Sequence, residues 1–119
     1  MGKKCTTTQK WTLPISQEDQ FVVTVFHELL HIWLNDNLNE NKSIILAKYC
    51  NEDDSVRAHI HVMAIEKMAY TKISRPDILA SLNSEYCNFS TQVYRRAWKI
   101  VNEIESYEAI LQDILQAIN

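Results

Sequence analysis

The sequence predicts a mainly α-helical fold, formed by one compact domain that spans residues 1–119. Hydrophobic residues make up 46% of the 119 residues and charged residues 23%, the balance of an ordinary globular protein, and a chain of this length buries a single core. It contains one glycine and two prolines, too few for the many tight turns of a multistranded β-protein. We therefore expect a helical domain with at most one short N-terminal strand or small sheet.

The first predicted helix covers residues 17–36. Ser16 and Asp19 form a capping pair, whose side chains satisfy backbone N–H groups at a helix start, and the polar run at 35–37 ends the helix. Apolar residues occur on every side of this segment, which predicts a buried central helix. Upstream, residues 6–13 are expected to form at most one strand.

Three further segments follow this helix. The apolar residues within 42–50 show no clear period and fit either a strand or a short helix, and of the two we expect the helix. The acidic run at 51–54 suits a helix N-terminus, because negative charge there meets the positive end of the helix dipole, and it predicts a second long helix over 54–73. Pro76 suits the first turn of a third helix that ends near residue 82.

The predicted C-terminal helix follows Asn88 or Ser90 and continues nearly to the end of the sequence, and over the full range 90–118 it would be long enough that its end projects or bends. Apolar residues recur along it with alternating spacings of four and three, the pattern of a seam that packs against another helix. The seam consists of Val93, Ala97, Ile100, Ile104, Tyr107, Leu111, Ile114 and Ile118. We expect this seam to cover the other helices within a monomer, and a homodimer through the C-terminal helix is the alternative.

Charge and apolar runs argue against two classes of partner. The net charge is −3, and no block of lysine and arginine concentrates positive charge, whereas nucleic-acid binding needs such a patch. The most apolar run, residues 21–34, is too short to span a bilayer. No nucleic-acid partner and no membrane partner are therefore expected.

The cysteines predict the compartment. Cys5, Cys50 and Cys87 are odd in number and form no C-x-x-C pair. This pattern favours reduced thiols over a secreted disulfide framework. A cytoplasmic location is the resulting expectation.

Residues 27–31 read His-Glu-Leu-Leu-His and carry the clearest chemical signal. Residues four apart on an α-helix lie on the same face, so His27 and His31 can bind one metal ion together. Glu28 is rotated by about 100° from His27, which places it beside a water molecule on the metal without making it a ligand. Zinc with three protein ligands keeps a fourth position for water and lowers the pKa of that water. The pattern predicts a zinc-dependent hydrolase with Glu28 as general base.

The second long helix offers two candidates for the third zinc ligand. Glu66 lies on its inward face, where a carboxylate needs a partner, and a zinc ion held by the first helix in antiparallel packing would be one. Pairing of Glu66 with Lys67, Arg57 or water is the structural alternative. His59 precedes Glu66 by seven residues and shares its face, so it is the other candidate ligand. His61 falls nearer the solvent side.

The two helices together resemble a known class of enzyme. His-Glu-Leu-Leu-His followed, after 34 intervening residues, by Glu66-Lys67-Met68-Ala69 is similar to the gluzincin metallopeptidases, whose second zinc helix carries an E-x-x-A motif. The similarity covers about residues 16–73 and is greatest to the minigluzincins and related small phage-type peptidases. It implies zinc bound by His27, His31 and Glu66, with Glu28 as base and acid, and a peptide or protein substrate.

The sequence departs from the usual gluzincin pattern and from two other groups of zinc peptidases. Tyr70 stands where many gluzincins have an aspartate that orients a zinc-bound histidine, and the region before Ser16 is too short for the usual multistranded sheet. The metzincin motif would require glycine at Leu34 and histidine at Asn37. Regulatory proteases that cleave repressors share the downstream glutamate, but they carry a helix-turn-helix partner domain that is not recognisable here.

These patterns predict a division of roles. Glu66 is expected to complete the zinc site, because it follows the motif at gluzincin-like spacing and lies in the middle of its helix. It is about 10.5 Å from His59 along the helix, so one ion can meet only one of them. His59 is then expected to be a catalytic residue that steadies the oxyanion. The alternative function is a non-catalytic helical interaction protein, in which these residues form a polar network and the C-terminal seam binds a partner.

Overall fold

Helices make up most of the chain that the computed structural model describes, which is residues 15–118 without the side chain of Phe89. The α-helices in this range are α1 (Gln17–Asn37), α2 (Ile44–Lys48), α3 (Asp54–Lys72), α4 (Pro76–Ser84), α5 (Gln92–Lys99) and α6 (Tyr107–Ala117). A 3₁₀ turn, Glu40–Lys42, precedes α2, and π-helical segments, Glu85–Phe89 and Ile100–Ile104, follow α4 and α5. The mainly α-helical prediction is confirmed. The strand expected over 6–13 lies outside the described residues. None of the described helices has the length and apolar character needed to cross a membrane.

The two long helices begin where the sequence predicts. Ser16 Oγ accepts a hydrogen bond from the Asp19 backbone N–H at 3.0 Å, and Asp53 Oδ1 accepts one from the Ser55 N–H at 2.8 Å. Each side chain therefore satisfies a backbone donor that the helix itself leaves unpaired. The short helices α2 and α4 also lie in their predicted segments, with Pro76 in the first turn of α4.

Helices α1 and α3 pack side by side in antiparallel orientation, as predicted. In the contacts of α1 with α3 and with the residues just after α3, the residue number in α1 rises as that of its partner falls. These pairs are Asp19–Arg75, Phe26–Tyr70, His27–Glu66 and His31–His59. This register decides which polar side chains meet.

The central helix is α3 and not α1. It contacts α1, α4, α5 and α6. Its fully buried residues are Ile60, Val62, Met63, Ala64 and Glu66. In contrast, α1 buries only His27, Leu30 and Leu34, so the prediction of a buried central first helix is wrong. Among the described elements α1 packs chiefly on α3, which leaves its opposite face exposed.

The predicted long C-terminal helix is broken in two, so the prediction of one uninterrupted helix is wrong. The backbone is extended at Glu105, whose carboxylate accepts a hydrogen bond from the Tyr49 hydroxyl at 2.6 Å. Ser106 then starts a new helix, because its Oγ accepts a hydrogen bond from the Ala109 N–H at 3.1 Å. The second piece, α6, packs along α3.

Part of the apolar seam is buried within the chain. Ala97, Ile100 and Ile114 of the seam are buried among α3, α5 and α6. A homodimer through the C-terminal region stays a prediction, and these three residues are not available to it.

A buried network around Asp113 joins α6 to α2 and α3. Asp113 accepts hydrogen bonds from the Ser43 hydroxyl (2.6 Å), the N–H groups of Ile44 (2.7 Å) and Ile45 (3.2 Å), and His61 Nε2 (2.8 Å). Burial by itself would raise the pKa of Asp113, but these donors outweigh it and hold that pKa below its usual value. His61 is 2% exposed, so its predicted solvent-side position is wrong, because α6 covers this face of α3.

The cysteines differ from one another. Cys50 carries an exposed free thiol, whereas Cys87 takes part in a disulfide bond. The expectation of reduced thiols is therefore wrong for Cys87. A cytoplasmic location stays a prediction, and Cys87 does not support it, since disulfides persist mainly in oxidising compartments.

Candidate metal centre

Three histidines from α1 and α3 converge on one point. His31 Nε2 lies 3.2 Å from His27 Nε2 and 3.3 Å from His59 Nε2, and the ligand atoms of all three lie within 4.8 Å of one another. A tetrahedral ion whose zinc–nitrogen bonds are about 2.0–2.1 Å long holds two nitrogen ligands roughly 3.3–3.4 Å apart. The measured separations from His31 fit a single zinc ion.

Hydrogen bonds on the far side of two rings fix the nitrogen that faces the centre. His59 Nδ1 lies 2.7 Å from the backbone oxygen of Ser55. A carbonyl oxygen only accepts, so His59 Nδ1 carries a proton. His27 Nδ1 lies 3.2 Å from Glu66 Oε2 and donates to that carboxylate. In their neutral forms, both rings therefore present an unprotonated Nε2 to the centre, the form that binds a metal.

Glu66 supports His27 from behind. Its side chain is 0% exposed, and both carboxylate oxygens are engaged, because Oε2 faces His27 Nδ1 and Oε1 accepts a hydrogen bond from the Tyr86 hydroxyl at 3.1 Å. The inward position expected for Glu66 is confirmed. The carboxylate, however, lies on the side of the His27 ring opposite to Nε2, which favours a supporting role over direct contact with a metal.

The charge states of the three histidines differ for physical reasons. Burial is the main cause that lowers the pKa of His31 and of His59. Burial also acts to lower the pKa of His27, but the hydrogen bond and the negative charge of Glu66 outweigh it and raise that pKa. His31 and His59 are therefore neutral near pH 7. Any excess proton resides on His27, where a metal cation would displace it.

Glu28 lies beside the centre. Burial and other neighbouring groups have larger effects on the pKa values of His27, His31 and His59, and the negative charge of Glu28 acts in addition to raise them. Glu28 is exposed to solvent. No hydrogen bond or ion pair within residues 15–118 engages its carboxylate, so Glu28 is available to a water molecule or a substrate.

Two tyrosines that the sequence analysis missed lie against the centre. The Tyr94 ring centroid lies 4.4 Å from that of His59 and 6.0 Å from that of His27, and Tyr86 holds Glu66. Burial, followed by the charges of Glu28 and Glu66, raises the pKa of Tyr94, so its phenol stays protonated and can donate a hydrogen bond. No local pattern links these tyrosines to residues 27–31, because only the tertiary packing around α3 brings them there.

A groove with a volume of about 500 Å³ opens beside His31. The C-terminal half of α1, the α2 region and the first turns of α3 bound it. Its apolar lining is contributed by Leu34, Leu38, Leu46 and Ala58. An extended ligand in this groove would contact the metal centre through the His31 side.

Comparison of the chain with protein-family models, curated proteins and solved structures finds no match. The gluzincin relationship therefore stays a prediction. The candidate residues from the sequence do lie next to one another in the structure, through the contacts of His27 with Glu66 and of His31 with His27 and His59.

Proposed function

We propose that the protein is a zinc-dependent hydrolase of peptide bonds, with His27, His31 and His59 as its metal ligands. The observation that carries this proposal is that His31 Nε2 lies 3.2 Å from His27 Nε2 and 3.3 Å from His59 Nε2, the spacing of two ligands on a tetrahedral zinc ion. Three imidazoles with an open fourth position are a known ligand set of catalytic zinc. The assignment differs from the sequence prediction, because His59 takes the ligand role and Glu66 supports His27.

Glu66 and Tyr86 give this ligand set its orientation. A carboxylate that accepts the second N–H of a metal-binding histidine fixes the tautomer and the ring, and makes the ligand nitrogen more basic. Tyr86 in turn holds the second carboxylate oxygen of Glu66. Such outer partners are what distinguish a metal site from three histidines that happen to be close.

The remaining groups suit hydrolysis. A bound zinc ion would supply Lewis acidity towards water and towards a substrate carbonyl. Glu28 is the group that takes a proton from water and returns it to the leaving amine. The protonated phenol of Tyr94 is the candidate donor to the carbonyl oxygen of the substrate, the role first expected of His59. The groove beside His31 is the candidate path of the peptide.

Cleavage of internally quenched peptides tests the proposal. We expect the zinc-loaded protein to cut a mixed-sequence peptide library, to lose activity with a chelator, and to regain it with one equivalent of zinc. Tight, stoichiometric zinc binding without cleavage of any peptide would refute the peptidase function and leave a structural metal site. Failure to bind zinc would refute the metal centre as well.

The alternative function, a helical interaction protein, would need a binding surface other than the one first expected. It depended on the C-terminal seam, and Ala97, Ile100 and Ile114 of that seam are buried within the chain. A different surface, on α1, favours a docking role that is compatible with the zinc site.

A further inference from the structure

One face of α1 exposes a row of large apolar side chains, each between 37% and 71% exposed. They are Phe21, Val22, Val25, Leu29, Ile32 and Trp33. Their spacing places them on one side of the helix, over about 18 Å from the first to the last. Scattered exposed apolar residues are ordinary, but a contiguous apolar face marks an interaction surface. We refer to these six residues as the α1 stripe.

The α1 stripe lies opposite the face that α1 buries. His27, Leu30 and Leu34 point towards α3, and a helix with apolar residues on nearly every side is usually covered on every side. The described elements cover only one. The face of α1 that residues 15–118 leave exposed therefore fits an additional partner.

Acidic residues mark both ends of the α1 stripe. Glu18 precedes Phe21 by three residues and Asp36 follows Trp33 by three, a spacing that puts them on the same face as their neighbours. Both are exposed, and α1 contains no lysine or arginine. The stripe is thus an apolar surface with a negative charge at each end, the two charges being about 27 Å apart along the helix.

A second copy of α1 matches this surface poorly. In an antiparallel pair centred on the stripe, Glu18 of each copy would lie opposite Asp36 of the other, and in a parallel pair each acidic residue would lie opposite itself. Both arrangements bring like charges together, which opposes association. The charge pattern calls for a partner with positive charges at the matching positions.

We propose that the α1 stripe binds an amphipathic helix of another protein, whose apolar face is flanked by lysine or arginine about 18 residues apart. Apolar contact supplies most of the affinity of such helix pairs, and complementary charges at the ends select the partner and its register. This inference does not depend on zinc or on catalysis. Since Glu28 borders the stripe, the partner would lie next to the metal centre.

Two synthetic helical peptides as long as α1 test the proposal with the full-length protein. Both carry the same leucine-rich face, and one has lysines at the two ends where the other has glutamates. Isothermal titration calorimetry should show at least about tenfold tighter binding of the lysine-ended peptide. Equal affinity for the two peptides, or binding of neither, would overturn the proposal.

Variants locate the binding surface. Phe21→Ser combined with Ile32→Ser should abolish binding, whereas Ile44→Ser combined with Leu115→Ser, which alters apolar residues of similar exposure elsewhere, should not. Circular dichroism checks that both variants fold. Glu18→Lys combined with Asp36→Lys leaves the stripe intact and should reverse the preference between the two peptides. An unchanged preference would refute the charge match.

Two other possible occupants of the α1 stripe, a second copy of the chain and the chain's own N-terminal residues, would give different results. Sedimentation equilibrium should show a monomer; a dimer that the Phe21→Ser and Ile32→Ser variant dissociates would mean that a second copy covers the stripe. Nuclear Overhauser contacts between residues 1–14 and Phe21 or Ile32 would mean that the chain covers its own stripe. Either result would overturn the proposal.

Discussion

Glu66 Oε2 lies 3.2 Å from His27 Nδ1, the ring nitrogen on the far side from the Nε2 that meets His31. The other carboxylate oxygen is bound by Tyr86. Glu66 is therefore engaged behind the ring of His27, while His59 presents its Nε2 directly to the cluster. This pairing favours His59 as the third ligand, whereas the sequence predicts Glu66 in that role.

The first prediction compares the two candidates for the third ligand. His59→Ala removes a metal-binding nitrogen and should weaken zinc binding by more than about 100-fold. Glu66→Gln keeps an oxygen that can accept the His27 proton and should weaken zinc binding by about 10- to 100-fold, the usual effect of an outer partner. Competition with a chromophoric chelator measures both affinities. A larger loss in Glu66→Gln than in His59→Ala would reverse the assignment.

The second prediction concerns Glu28. Glu28→Gln should retain one zinc per chain and lose peptide hydrolysis by about 10²- to 10⁴-fold, because the amide cannot take up a proton. Glu18→Gln, an equally conservative change at another exposed position of α1, is the matched control and should leave turnover unchanged. Zinc loss in Glu28→Gln would show that this carboxylate is a ligand.

The third prediction concerns Tyr94. Tyr94→Phe preserves the ring against His27 and His59 but removes the donor, so kcat should fall by about 100-fold while zinc affinity and KM change little. Tyr107→Phe, on α6, serves as the control. An effect confined to KM or to zinc affinity would assign Tyr94 to packing around the imidazoles instead of to the reaction.

The fourth prediction concerns acid sensitivity. Burial lowers the pKa of His61 below 6.5, although Asp113 acts to raise it. As pH falls below 6.5, the unfolded chain therefore binds a proton before the folded chain does, and the free energy of unfolding decreases. His31 and His59 act in the same direction.

His61→Asn can still donate to Asp113 but does not titrate. In metal-free protein it should reduce the slope of unfolding free energy against pH, by at most about 1.4 kcal/mol per pH unit. Urea unfolding between about pH 7 and pH 5 measures the slope. A slope equal to that of the unmodified chain would contradict a lowered pKa at His61.

Local signals were sufficient for most helix boundaries. The cap at Ser16 and the acidic start near Asp53 are short-range patterns, and both helices begin there. The break before α6 was missed although Ser106 is also a capping residue, because the alternating apolar spacing continues across it from Ile104 to Tyr107. Periodicity therefore predicted the burial of Ala97, Ile100 and Ile114, but not the exposure of Ile104, and it failed to show that the chain changes direction.

The choice between the two candidates for the third ligand depends on tertiary register, which no local pattern encodes. His27 and His31 follow from their spacing on one helix. His59 and Glu66 share a face of α3, so only the alignment of α1 along α3 decides which of them meets Nε2 of the histidine pair. The burial of His61 had the same origin, since nothing near it in the sequence predicts that α6 covers that face.

Anomalous scattering at the zinc edge, from crystals of the zinc-loaded protein, tests the central claim most directly. We predict one peak at about 2.0–2.1 Å from the Nε2 atoms of His27, His31 and His59, with Glu66 still bonded to His27 Nδ1. A peak ligated by Glu66 with the His59 ring turned away, or no peak between the three imidazoles, would contradict the account.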